Sequence, residues 1–152
     1  MKRLKPAFLI VFMLLVAIQF FPIEKNSGIS NPQMSFSNLY NPPAAINTIL
    51  KVSCYDCHSN NTRYPWYRKI QPVGWLLESH IKEGKKALNF DEFGTYTNRK
   101  QKSKVKAIFN QVNDDKMPLR SYKALHRDAI MTTEEKNSFL NYFKTVADSI
   151  NQ

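Results

Sequence analysis

The apolar positions of this chain form one long run near the N-terminus and then a series of spaced stripes. Ala7 to Ile18 is apolar without a break, Gln19 interrupts it, and Phe20-Phe21-Pro22-Ile23 resumes it. Lys2, Arg3 and Lys5 precede the run. The 17 residues from Ala7 to Ile23 lie near the lower limit for a membrane-spanning helix. They also match the core of a cleavable signal peptide. Gln19, Phe20, Phe21 and Pro22 give no small-x-small cleavage site, and no cysteine follows for lipid attachment. Residues 1–23 therefore read as an uncleaved signal-anchor helix with its basic end in the cytoplasm. Residues 24–41 are polar, with Gly28 and Pro32, and read as a tether with little structure.

From residue 42 the spacing is helical. Pro43 opens a helix to Ser53 in which Ile46, Ile49 and Leu50 share a face. Residues 59–71 read as a loop. A second helix, Pro72 to Lys86, puts Val73, Leu76, Leu77 and His80 on one side, with Gly84 weakening its last turn. A third, Asn98 to Val112, has the stripe Val105, Ile108, Phe109 and Val112, and ends at Asn113-Asp114-Asp115. Met117 to Tyr122 reads as extended. The last helix, Thr133 to Ile150, carries Phe139, Phe143, Val146 and Ile150, and Thr132 with Glu135 has the capping-box spacing. No segment alternates convincingly as a strand. The expected fold is all-α: a small helical domain over residues 42–152, preceded by an N-terminal membrane helix.

At 152 residues the chain has room for one domain. Its 22 basic and 12 acidic side chains give +10, and beyond Ile23 the balance is 19 against 12, or +7. A basic surface suits anionic lipid headgroups or an acidic redox partner, though a solvated lysine coat accounts for it equally well. Nucleic acid is disfavoured, because no basic-aromatic motif appears and the anchor places the domain outside the cytoplasm.

The chemistry concentrates in Cys54-Tyr55-Asp56-Cys57-His58, a C-x-x-C-H sequence, the attachment motif for c-type haem. Two thiols at this spacing can each form a thioether with a haem vinyl group, and the adjoining imidazole can ligate the iron. A redox dithiol would want a βαβ context, which is missing. A structural zinc site would want four ligands, and the chain has two cysteines and three histidines in all. A simple disulfide gives His58 no role. Haem c, covalently attached, is the expected cofactor. For the sixth iron ligand Met117 comes first, because Pro118 fixes its own φ and favours extended backbone at Met117. His80 and His126 are the alternatives, and an open iron is the remaining one. Trp66, Tyr67, Trp75 and Tyr122 are candidate walls of the haem pocket.

The order helix, C-x-x-C-H, Met-Pro and capped C-terminal helix resembles small class I cytochromes c in pattern. A closer resemblance is to the bacterial haem-binding domain family. It rests on Gln19-Phe20-Phe21-Pro22, Cys54 to Asn60, Tyr64-Pro65-Trp66-Tyr67, Pro72-Val73-Gly74-Trp75, Leu88-Asn89-Phe90, Met117-Pro118, Tyr122 and His126. The resemblance implies haem carried by Cys54 and Cys57 with His58 as a ligand, and leaves the sixth ligand open. The expected function is electron transfer at the periplasmic face of the inner membrane with an unidentified redox protein. A peroxidase-like enzyme or a haem-based sensor with an open iron is the alternative.

Overall fold

The computed structural model describes residues 4–150. Eight α-helices run through them: α1 (Leu4–Ala17), α2 (Phe36–Tyr40), α3 (Ala44–Ser53), α4 (Tyr55–His58), α5 (Val73–Ala87), α6 (Asn98–Asn113), α7 (Arg120–Leu125) and α8 (Thr133–Ser149). Short 3-10 turns link them, and the described residues contain no strand beyond one isolated bridge between Ser27 and Asn61. The all-α expectation holds.

The core forms where α6 packs on α8 and α3 packs across α8. Ile46, Ile49 and Leu50 from α3, Val105, Ile108 and Val112 from α6, and Phe139, Phe143 and Val146 from α8 are buried together, so these stripes face where the spacing put them. The capping box of α8 is complete: the Glu135 amide donates to Thr132 Oγ1 at 3.1 Å, and the Thr132 amide donates to Glu135 Oε2 at 2.8 Å. That satisfies two amides a helix start otherwise leaves unpaired.

Three expectations are corrected. The N-terminal membrane helix is the first. The basic residues Lys2 and Arg3 lie outside the described residues. Helix α1 has 14 residues, about 21 Å at 1.5 Å per residue against a hydrocarbon core of roughly 30 Å. The apolar run then tightens into a 3-10 turn at Ile18–Phe20. No helix among the described residues is long and apolar enough to cross a membrane.

The second correction concerns residues 24–41. Their backbone is stitched to the loop after the cysteine motif. The Gly28 amide donates to the Asn60 carbonyl at 2.8 Å, and Asn26 Nδ2 donates to the Ser59 carbonyl at 3.0 Å. Ser35 caps α2, whose Phe36 is fully buried, with its ring stacked on Phe143 at 5.4 Å and meeting Phe90 and Phe93 edge-on. The segment is part of the packed domain.

The third is the segment after α6. Asp115 takes a left-handed conformation (φ 55°), the Lys116 amide donates to the Gln111 carbonyl, and the Asp115 amide donates to that of Val112. This double bond pattern closes a helix C-terminus, with Asp115 where glycine is commonest. The Met117 amide joins the same Gln111 carbonyl at 3.0 Å. Met117 is therefore pinned to the end of α6. The chain then turns helical again at Arg120, inside the segment Met117 to Tyr122 that was expected to be extended.

Candidate functional site

Helix α4 is the cysteine motif itself. The Cys57 and His58 amides both bond the Cys54 carbonyl, so one tight turn presents both sulfurs and the imidazole. Helix α5 lies directly against this turn because Gly84 has no side chain. A Cβ there would stand 2.7 Å from the Cys57 carbonyl oxygen. Gly84 thus sets how closely α5 approaches the thiols.

Two adjoining cavities, of about 380 and 340 Å³, open around the motif, and Ser53, Cys54, His58, Ala87 and Met117 line both. Cys57, His80, Glu83, Gly84 and Tyr122 belong to the larger, whereas Phe90, Lys104, Ala107, Ile108 and Gln111 belong to the smaller. Each falls within the roughly 300–1,000 Å³ of ligand sites. Together they make a divided, largely apolar cleft along the cysteine turn.

His58 Nδ1 lies 3.2 Å from the Leu88 carbonyl oxygen. A carbonyl only accepts, so Nδ1 carries the proton and Nε2 keeps the lone pair, the arrangement that prepares a metal-ligating histidine. Burial pulls the His58 pKa down, partly opposed by the Leu88 and Gly84 carbonyls, and so favours the neutral, ligating imidazole. Burial pushes the Cys54 thiol up to about 12, aided by Cys57, and Cys57 up to about 11, aided by Asp56. Both cysteines are free and protonated at neutral pH. A reactive dithiol would need a depressed pKa, and among the described residues no group of three or more His, Cys, Asp or Glu side chains comes together to hold a metal.

Asp56, inside the motif, is only 6% exposed. Arg63 Nε donates to its Oδ1 and Arg63 Nη2 to its Oδ2, each at 3.2 Å, and the Arg63 amide adds a third bond at 3.1 Å. The Tyr122 hydroxyl lies 2.7 Å from Asp56 Oδ2 and 3.1 Å from the Val52 carbonyl oxygen. Its one proton goes to the charged acceptor, the stronger of the two. Burial first, then this bond, hold the Tyr122 pKa well above the usual phenol range.

Of the candidates read from the sequence, Cys54, Cys57, His58, Met117, His80 and Tyr122 meet at the cleft. Tyr67 lines a small neighbouring cavity of about 80 Å³ with Cys57, His80 and Tyr122. That cavity also takes Val73, Leu76 and Leu77, so the apolar side of α5 faces here, with Val73 40% and Leu76 56% exposed, and not the core. Three candidates lie elsewhere. Trp66 opens a surface turn and is 77% exposed. Trp75 spends its indole N–H on the Phe21 carbonyl at 3.1 Å. His126 stacks on Tyr122 with ring centroids 4.0 Å apart and lines neither main cavity. The sequence reading missed Asp56, Arg63, Gly84, Lys104 and Gln111. A signal existed for the last two: Lys104, Ala107, Ile108 and Gln111 repeat at i, i+3, i+4, i+7, a second stripe beside the core stripe of α6.

An imidazole with a free nitrogen, a thioether and two protonated thiols around a divided apolar cleft mark an all-α cofactor-binding protein. The chain belongs to the haem-binding domain family, whose model matches residues 13–145. Haem is its cofactor, and a flat ring with apolar faces suits this cleft. No curated protein and no solved structure matches the chain.

Proposed function

We propose that the chain carries one haem covalently, through Cys54 and Cys57, with His58 and Met117 as axial ligands, and that it passes single electrons to a protein partner outside the cytoplasm. The observation that carries this reading is that Cys54, His58 and Met117 line both halves of the cleft. Each thiol adds across one vinyl C=C, sulfur to one carbon and hydrogen to the other, so no oxidant is consumed. Both cysteines are free, the reduced state that this addition requires. The extracytoplasmic placement follows from the motif, because c-type haem is joined on that side.

Bound here, the haem supplies a one-electron ferric/ferrous couple. The residues decide what that couple does. Leu88 holds His58 in the tautomer whose Nε2 is free. The end of α6 holds Met117 at the boundary between the two cavities. A methionine opposite a histidine raises the potential and leaves no open position, which favours electron transfer over bond chemistry.

The test is the absorption spectrum of protein matured in a host competent for c-type haem. Haem is expected to survive denaturing electrophoresis, and the ferric form to show a methionine-to-iron charge-transfer band. Met117→Ala is expected to keep the covalent haem and lose the band. A wild type without the band ends the Met117 assignment. A second reading, a haem enzyme with an open iron, draws on His80 and Glu83, which line the same cavity as Met117. Rapid carbon monoxide binding by the ferrous wild type would favour it.

A further inference from the structure

We propose that Lys104 is the counter-ion of a haem propionate and fixes which way round the cofactor lies in the cleft. This rests on the haem reading of the same site. Lys104 is half-buried on α6 and lines the smaller cavity. Its ammonium has no ion pair or hydrogen bond among the described residues, whereas those of Lys82, Lys85, Lys116 and Lys136 each have one. A lysine stem laid along an apolar wall is ordinary, but its charge then seeks water or an anion. No acidic side chain lines this cavity.

The two halves of the cleft differ in charge and in chemistry. The larger holds Cys57, Asp56 and Glu83 and no lysine or arginine. The smaller holds Lys104 and Gln111 and lacks Cys57. Haem has the same polarity: vinyl groups on one side of the ring and two carboxylates on the other. Thioether formation at Cys57 puts the vinyl side in the larger half. The carboxylates then fall toward α6, where Lys104 supplies a charge-assisted donor and Gln111, one stripe position on, a neutral amide. Ala107 and Ile108, between them on the stripe, line the same cavity.

Two measurements test this. Full-length apo-protein is titrated with mesohaem, whose saturated side chains cannot form thioethers, and with its dimethyl ester, whose carboxylates are masked. The wild type is expected to bind mesohaem about tenfold more tightly, a difference of roughly 1.4 kcal/mol that shrinks with added salt. Lys104→Gln is expected to bring the two within about twofold, while Lys104→Arg keeps the preference. In the matured holoprotein, Lys104→Gln is expected to lower the reduction potential, because a positive charge near the ring is lost, and Lys104→Arg to restore it. Equal binding of the two compounds by the wild type, or an unchanged preference or potential in Lys104→Gln, overturns the proposal. Failure of both compounds to bind, in a protein that also matures without haem, rejects the haem reading of this site and the proposal with it.

Discussion

At the scale of one residue, Gly84 shows how packing reverses an intrinsic preference. Alanine is the better helix former by about 1 kcal/mol, so Gly84→Ala on an open helix face would stabilise the protein. Here the added methyl would meet the Cys57 carbonyl carbon and Cβ at 3.2 Å and its oxygen at 2.7 Å. Those are atoms of the turn carrying the thiols and cannot swing aside as the end of a long side chain can. Gly84→Ala is expected to destabilise the apo-chain by roughly 1–3 kcal/mol, the usual cost of overpacking, and to reduce the yield of covalent haem. Urea unfolding and the haem-to-protein ratio measure the two effects. A stabilised variant with full haem content would show that α5 does not press on the cysteine turn. The sequence alone could mark Gly84 only as a weak point in a helix. Its use depends on a contact with a residue 27 positions earlier in the chain, and no local pattern records that.

At the scale of elements, the same distinction separates what was readable from what was not. The stripes of α3, α6 and α8 were legible because each buries one face against the others, and burial of a helix face imposes a 3.6-residue period. The cysteine turn stood out in the sequence as a recognised motif, and the structure makes it the short helix α4. Helix α7 was not: its six residues carry no apolar period, and its place comes from long-range bonds. Chief among these is the Tyr122 hydroxyl on Asp56, which joins the element after Met117 to the turn bearing His58. Bonds to a charged acceptor contribute roughly 1.5–3 kcal/mol. Tyr122→Phe keeps the ring against His126 but cuts this tie. It is expected to cost about 1–2 kcal/mol of stability, at the low end because Arg63 still neutralises Asp56, and to leave covalent attachment intact. With α7 loosened, the Met117 charge-transfer band should weaken and carbon monoxide should bind the ferrous haem faster than in the wild type. If ligand binding and the band are unchanged, the tie serves stability alone and does not position Met117.

At the scale of the whole molecule, the question is where the domain begins. By composition, residues 24–41 belong to no core, since polar residues outnumber apolar ones and no stripe can be drawn. One residue decides otherwise. Phe36 sits among Phe90, Phe93 and Phe143, brought together from α2, the 3-10 turn Phe90–Thr95 and α8. The turn places Phe90 beside the smaller half of the cleft, next to His58, so the aromatic cluster is also one wall of the site. A phenylalanine removed from such a core costs about 3–5 kcal/mol, against a total stability of some 5–15 kcal/mol for a domain. Phe36→Ala is therefore expected to lower the urea midpoint of the apo-chain severely, whereas Phe36→Leu, closer in volume, should cost about 1.5 kcal/mol or less. A flexible tether would predict the opposite, a change within about 0.5 kcal/mol for either variant, as at an exposed position. The holoprotein adds a second readout. Loss of Phe36 slackens Phe90 and with it the wall beside His58, so Phe36→Ala should also mature less haem per chain at equal expression, while Phe36→Leu should not.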